Sequence, residues 1–216
     1  MKPPLASVLD SRLWRAGELP QQSSESTARR CIPTGFDSLD NCLPEGGWPL
    51  GTITEILTNG AGMGELGLVV PALASLTEDT RWVAWITPPY IPYAPALEDR
   101  GLELSRVLCI GCDNPQCSPF DYLWAAEQLL RLPACGAVLL WIDGYPQQSR
   151  ALRRLQVAAQ IGGSWGVVFR SAASARHPSP AAVRLEMQAV SVHDQGPRVK
   201  VLKCRGRAPV DGVVVL

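Results

Sequence analysis

The sequence predicts an α/β fold in which helices flank a mostly parallel sheet that ends in antiparallel C-terminal strands. Apolar strand patterns alternate with helix patterns from about residue 52 to residue 170, a spacing typical of βαβ units. Three further strand patterns then follow without intervening helices, which favours an antiparallel edge. At 216 residues, 46% hydrophobic and 19% charged, the chain has the composition of one folded domain with a real core.

The first 30 residues differ from the rest. Residues 5–16 can form a short amphipathic helix with one apolar face, and residues 17–30 are rich in Gln, Ser and Glu, as in flexible linkers. We therefore divide the chain into an N-terminal helix and linker, residues 1–30, and a folded domain, residues 31–216.

Within the domain each element has a sequence reason. Apolar, β-branched runs predict strands at 52–57, 81–87, 106–110, 137–143, 165–170, 182–190, 198–204 and 213–216. Helical periodicity and capping residues predict helices that begin near Asp37 and at 65–76, 95–101, 121–131 and 149–161. Pro71 lies inside the second helix and predicts a kink or a late start.

A glycine-rich loop joins the first long strand to the helix at 65–76. It is built like a phosphate cradle, but aligned on Gly64 a Walker A pattern would place Glu65 at the lysine and Leu66 at the serine or threonine. A carboxylate repels phosphate and leucine cannot hold Mg²⁺. We expect neither catalysis nor a cofactor here, and the alternative is a glycine turn that never bound phosphate. The degenerate loop comprises Asn59, Gly60, Gly62, Gly64, Glu65 and Leu66.

Charge and cysteine content exclude several classes of function. The net charge is zero and the pI is about 6.7, so no global basic field attracts DNA, and we expect weak or no direct DNA binding. No apolar run reaches the roughly 18 residues of a membrane span, and the N-terminus lacks a signal-peptide core, which favours the cytoplasm. Seven cysteines suit reduced thiols. Cys109, Cys112 and Cys117 could begin a metal site, but ordinary strand and loop cysteines are favoured and no metal is expected.

The order of these segments resembles the RecA recombinase core from about residue 32 to residue 216. The segments that carry the resemblance are residues 33–40, the turn at 46–51, the strand at 137–143, and the stretches 182–189 and 200–209. The resemblance implies a RecA-like domain with Asp143 at the acidic Walker B position. It also implies the loss of the water-activating glutamate, because Thr87 and two prolines follow the strand at 82–86.

Among RecA-like chains without ATPase residues, the sequence resembles the ImuA family most. The matching features are the N-terminal Leu-Trp-Arg, residues 46–55, residues 123–128 and residues 150–156. This resemblance implies an accessory role in DNA-damage-induced translesion synthesis, with an ImuB-like polymerase-related partner, RecA, and indirectly an error-prone C-family polymerase. It also implies association with the nucleoid after damage. The related SulA family, whose members block division by binding FtsZ, is the alternative.

Several side chains are candidates for partner contacts. Cations cluster on one face of the helix at 149–161 and near the C-terminus, and tryptophans in the N-terminal helix and in a Gly-Pro turn favour exposure. The predicted contact residues are Arg150, Arg153, Arg154, Arg205, Arg207, Trp14 and Trp48. Tyr90 and Tyr93 in a proline-rich loop are further candidates. Four of the remaining tryptophans, Trp82, Trp85, Trp124 and Trp141, lie in predicted strands and helices and are expected in the core.

Overall fold

The computed structural model describes residues 31–60, 62–111, 118–142, 148–188, 198–207 and 212–215. The predicted helix and linker at 1–30 therefore lie outside the described residues. The strands are β1 (Cys31–Ile32), β2 (Trp48–Pro49), β3 (Thr52–Thr58), β4 (Trp82–Ile86), β5 (Val107–Ile110), β6 (Cys135–Trp141), β7 (Trp165–Ser171), β8 (Val183–Gln188), β9 (Arg198–Cys204) and β10 (Val213–Val215). The helices are α1 (Asp37–Asp40), α2 (Glu65–Glu78), α3 (Ala94–Glu98), α4 (Pro119–Leu130) and α5 (Gln148–Gly162).

These elements form a mixed α/β domain around an eight-stranded sheet. Its strand order is β10-β9-β8-β3-β7-β6-β4-β5, and the six strands from β8 to β5 run parallel. Strands β9 and β10 pair antiparallel at the C-terminal side, while β1 and β2 form a separate two-stranded piece. The prediction of a mostly parallel sheet with antiparallel C-terminal strands is confirmed.

The sheet is covered on both faces. Alternate strand residues point to opposite sides, so Val83 and Trp85 contribute to one core and Ala84 and Ile86 to the other. The first core includes the apolar face of α2, and the second includes α4 and α5. Because helices cover both faces of the sheet and exclude water from them, the central strands consist of nearly continuous apolar residues.

Local details follow from single residues. Ser118 caps α4: its hydroxyl accepts from the Asp121 N–H at 3.4 Å, and the Asp121 carboxylate accepts from the Ser118 N–H at 2.8 Å. The Ser118 hydroxyl also donates to this carboxylate at 2.8 Å, and the two bonds that the carboxylate accepts, the backbone one first, hold the pKa of Asp121 below its usual range. The predicted start of α2 near residue 65 is confirmed, and of the two effects expected from Pro71, a kink or a late start, the late start is wrong, because the helix begins at Glu65 and continues through Pro71. The Pro71 ring fills the space beside Gly35, where an added Cβ would lie 2.6 Å from the ring.

Two of the tryptophans assigned to the core lie at the surface. Trp82 is 43% exposed at the start of β4, and Trp124 is 60% exposed on the outer side of α4. Trp85 is buried, and Trp141 is half-buried against Phe169. The prediction failed for Trp82 and Trp124 because an aromatic residue in a strand or helix pattern does not reveal which face of the element it occupies.

Candidate functional site

A cavity of about 620 Å³ opens at the edge of the sheet where the parallel strands end. In parallel α/β sheets, this carboxyl edge is the usual place for a ligand. The walls come from the ends of β3, β6 and β7, the glycine-rich loop and the loop after β4. The lining residues are Thr58, Asn59, Gly60, Glu65, Thr87, Pro89, Trp141, Phe169, Arg170, Ser171, Ala172 and Ala173.

The degenerate glycine loop is closed by its own glutamate. Glu65 is the first residue of α2 and is 5% exposed, and its Oε1 accepts a hydrogen bond from the Gly62 N–H at 3.0 Å. Gly62 and Gly64 have φ of 83° and 86°, a conformation that favours glycine. The carboxylate also lies at the positive end of the helix dipole, where a negative charge is favourable. The loop thus holds a fixed carboxylate on the cavity wall.

The other loop residues lie in different surroundings. Asn59 and Gly60 are exposed, whereas Leu66 is partly buried and packs against the core beneath the sheet. Asp143, the predicted Walker B-like acid, lies outside the described residues. Among the residues that the structure does describe, no group of three His, Cys, Asp or Glu side chains could hold a metal ion. Cys112 and Cys117 also lie outside the described residues.

A buried ionic cluster beside the cavity was missed by sequence reasoning. Glu55 on β3 is fully buried, and its carboxylate pairs with Arg170 on β7 at 2.6 Å and with Arg184 on β8 at 2.5 Å. Arg184 also donates to the carbonyl oxygens of His177 at 3.1 Å and Ser174 at 2.8 Å. A charged residue within each of three largely apolar strands was the available signal. The cluster fixes the turn after β7 against the sheet and places Arg170 on the cavity wall.

Aromatic rings stack on one another at both ends of the sheet. Trp141 stacks on Phe169 with ring centroids 4.5 Å apart, and both line the cavity. Trp48 is fully buried and stacks on Trp165 at 5.1 Å, so its predicted role as an exposed partner contact is wrong. The Gly-Pro turn around Trp48 suggested exposure, but β2 pairs with β1 and carries the ring into the core. Trp14 lies outside the described residues.

The loop after β4 presents apolar side chains to solvent at the same edge. Tyr90, Ile91 and Tyr93 are each more than 70% exposed. Thr87 anchors the base of this loop: its N–H donates to the Ile110 carbonyl at 2.9 Å and its hydroxyl to the Trp141 carbonyl at 3.1 Å. Thr87 has φ of 52°, which is rare for a β-branched residue. Such strain persists where the surroundings fix it, often at functional sites.

The predicted basic contacts are only partly free. Arg150 and Arg153 are exposed near the start of α5, while Arg154 pairs with Glu127 of α4, which also binds Arg131 at 2.8 Å. Helix α5 follows β6, so Arg150 lies toward the cavity edge of the sheet.

At the C-terminal side, Arg205 and Arg207 lie exposed in the turn after β9. Arg205 donates to the Pro180 carbonyl at 2.9 Å. Nearby Lys203 donates to the Ser179 carbonyl at 2.8 Å, and burial, followed by the charges of Arg205 and Arg184, lowers its pKa. This turn is separated from the glycine loop by β8.

The family model and the individual relatives found by comparison with known proteins carry the same family name. The family model described as "Cell division inhibitor SulA" matches residues 51–166, more than half of the chain. Proteins named cell division inhibitor SulA are similar over much of this region. The one from Serratia marcescens is 27% identical over 120 residues, 56% of this chain and 68% of that protein. That of Yersinia enterocolitica is 28% identical with the same coverage. The match to Yersinia pestis, 29% identical, covers 48% of this chain and 58% of that protein.

These findings correct the functional prediction. The preferred ImuA-like role in translesion synthesis, with ImuB, RecA and a C-family polymerase as partners, is contradicted, because the family model and the curated relatives are all SulA. The alternative fits them instead. Association with the nucleoid was inferred from the same role and is not shown. Within the described residues, none of the helices combines the length and apolar character that crossing a bilayer requires. Since the family model matches residues 51–166, the chain belongs to the SulA family.

Proposed function

We propose that this chain inhibits cell division in response to DNA damage by binding FtsZ, and that it does so without catalysis. Membership of the SulA family supports the biological role. The structural observation that carries the proposal is the exposed apolar loop of Tyr90, Ile91 and Tyr93, which lies inside the family-matched region. Exposed aromatic side chains that lie close together are common anchors of protein interfaces.

The loop is preorganised for binding. Pro88, Pro89 and Pro92 restrict its backbone, and the two hydrogen bonds of Thr87 fix its base to the sheet. A segment that is already ordered loses little conformational entropy when it binds, so more of the contact energy becomes affinity. We call Tyr90, Ile91 and Tyr93 the tyrosine loop.

We infer that the domain core is RecA-like and that its nucleotide site is inactive. The chain order of strand, glycine loop and helix, the parallel sheet and the antiparallel closing strands support this origin. Glu65 supports the inactivity, because its carboxylate takes the loop N–H of Gly62 that would otherwise face a phosphate. An NTPase needs a cation and a metal at this position, and the loop sequence supplies neither.

Arg150 and Arg153 are proposed as secondary contacts. They are exposed on one face near the start of α5, and guanidinium groups make paired hydrogen bonds to carboxylates. Arg154 contributes less, because Glu127 already binds it. Arg205 and Arg207 remain candidates on a separate surface.

The test combines a cell assay with direct binding. Expression of the wild-type chain should block division and produce filamentous cells, and the purified protein should bind FtsZ and reduce its polymerisation in sedimentation assays. The double variant Tyr90→Ala with Tyr93→Ala should lose affinity about thirtyfold, because truncating an anchor typically costs ~2 kcal/mol.

Leu132→Ala is the matched control. Leu132 is an exposed apolar residue before β6, at the opposite end of the sheet, and its loss should leave affinity unchanged. Failure of the wild-type chain to bind FtsZ would refute the proposed function. Equal losses in the tyrosine-loop variant and in Leu132→Ala would refute the assigned surface.

A further inference from the structure

Glu65 carries a buried carboxylate oxygen that lacks a hydrogen-bond donor. Its Oε1 is bound by the Gly62 N–H, but Oε2 is inaccessible to solvent and has no donor among the described residues. Leaving a buried charged acceptor unsatisfied costs at least as much as an ordinary unmade hydrogen bond. The residue lines the cavity, so a donor that binds there would lie beside this carboxylate.

We propose that this cavity receives a basic side chain, lysine or arginine, from the protein partner, and that Glu65 is its counter-ion. The identity of the partner rests on the proposed function; the chemistry of the site does not. A protonated amine or guanidinium supplies the missing donor and the opposite charge at once.

The rest of the cavity suits such a group. Glu65 is the only carboxylate among the cavity-lining residues that the structure describes. The stacked rings of Trp141 and Phe169 form another wall, and aromatic faces attract cations once water is displaced. The hydroxyls of Thr58 and Ser171 are additional acceptors.

Arg170 also lines the cavity and is the feature that opposes a cation. Its charge is engaged by Glu55 at 2.6 Å within the buried cluster. The cluster as a whole, with two guanidinium groups and one carboxylate, remains positive by one charge. A cation should therefore bind toward the α2 side of the cavity, and a partner carboxylate bound by Arg170 is the competing outcome.

The partner-independent test uses small probes on the purified chain. n-Butylguanidinium and n-butylammonium are titrated while NMR follows the Trp141 indole and the Gly62 amide, with butyrate as the anionic comparison. We expect saturable shifts with the two cations and none with butyrate. Binding of butyrate alone, or of no probe, would overturn the proposal, and this comparison needs no variant.

Glu65→Gln tests the counter-ion role. The amide has nearly the same shape without the charge, so cation binding should weaken at least tenfold, about 1.4 kcal/mol. Glu98→Gln removes an exposed carboxylate on α3 and should leave binding unchanged. Circular dichroism is used to check that each variant is folded. Equal binding by wild type and Glu65→Gln would exclude Glu65 as the counter-ion.

Affinity for FtsZ then separates the two proposals. If the wild-type chain binds FtsZ, Glu65→Gln should reduce that affinity about tenfold and lessen its dependence on salt, because one ion pair is lost. Undiminished FtsZ binding by this variant would show that no basic side chain of the partner uses the cavity. If the wild-type chain binds the cationic probes but not FtsZ, the proposed function fails and the cation site stands.

Discussion

Replacing Glu55 by glutamine should destabilise the domain more than any surface ion-pair change. Glu55 is fully buried, and the side chains of its partners Arg170 and Arg184 are 3% and 7% exposed. Removing the carboxylate leaves two guanidinium groups with no counter-ion in the sheet. Breaking a buried ion pair in this way costs ~3–5 kcal/mol, a large part of the ~5–15 kcal/mol that stabilises a typical domain.

The assay is urea unfolding followed by circular dichroism. With a slope of about 2 kcal/mol per molar urea, a loss of ~4 kcal/mol lowers the midpoint by about 2 M. Glu127→Gln is the matched control, because Glu127 also pairs with two arginines, but theirs are 43% and 52% exposed. Solvent screens those pairs, so the control should lose no more than ~1 kcal/mol.

A third variant separates charge from packing. Replacing Glu55, Arg170 and Arg184 together by methionine removes all three charges and roughly keeps the volume, and it should restore most of the stability lost in Glu55→Gln. If the free energies of unfolding of Glu55→Gln and Glu127→Gln differ by less than ~1 kcal/mol, the buried cluster does not stabilise the domain as its geometry indicates.

Three further predictions concern the loop, the core and the thiols. Titration of the wild-type chain with a fluorescent ATP analogue and Mg²⁺ should show no micromolar binding. Glu65→Lys alone should not hydrolyse ATP, because the other catalytic groups are still missing. Measurable hydrolysis by the wild-type chain or by Glu65→Lys would contradict this prediction. Trp48→Ala should cost ~3–5 kcal/mol in urea unfolding, whereas the exposed Trp124→Ala should cost under ~0.5 kcal/mol; similar losses would show that burial does not decide the difference. Burial raises the pKa of Cys135 to about 11, so at pH 8 only about one in a thousand of its thiols is ionised. Peptide mapping after iodoacetamide should find exposed Cys109 alkylated and Cys135 unmodified until urea is added; early labelling of Cys135 would count against a buried, protonated thiol.

The sheet and helices were predictable because their signals are local. Apolar β-branched runs, the Ser118 cap and the chain order of strands and helices each depend on a few neighbouring residues. The buried cluster was not predictable in the same way. Glu55 is more than 100 positions away in the chain from both Arg170 and Arg184, and only the pairing of β3 with β7 and β8 brings the three together.

The candidate site was predictable only in part. The sequence showed a glutamate at position 65, where a Walker A pattern has lysine. It did not show that the Glu65 carboxylate turns inward and accepts a hydrogen bond from the Gly62 N–H. Exposure was the weakest inference: Trp48 enters the core and Trp124 faces solvent, although their local patterns favoured the opposite. Whether a side chain faces solvent depends on which layer covers its element, and one segment of sequence does not carry that information.

The prediction of an ImuA-like function was wrong for the same reason: local sequence patterns report on the core and not on the surface. The features that pointed to a RecA-like chain without ATPase residues, such as the glycine loop and the strand that ends at Trp141, belong to the core and to the cavity at the carboxyl edge of the sheet. Members of related families keep such features because each must bury a similar sheet, so they cannot distinguish one partner from another. In the function proposed above, partner choice depends on surface groups such as the tyrosine loop and on the buried carboxylate of Glu65. The residues to compare between families are therefore the exposed ones at the carboxyl edge of the sheet, where Thr87, with φ of 52° and two hydrogen bonds to neighbouring strands, anchors the loop that carries Tyr90 and Tyr93.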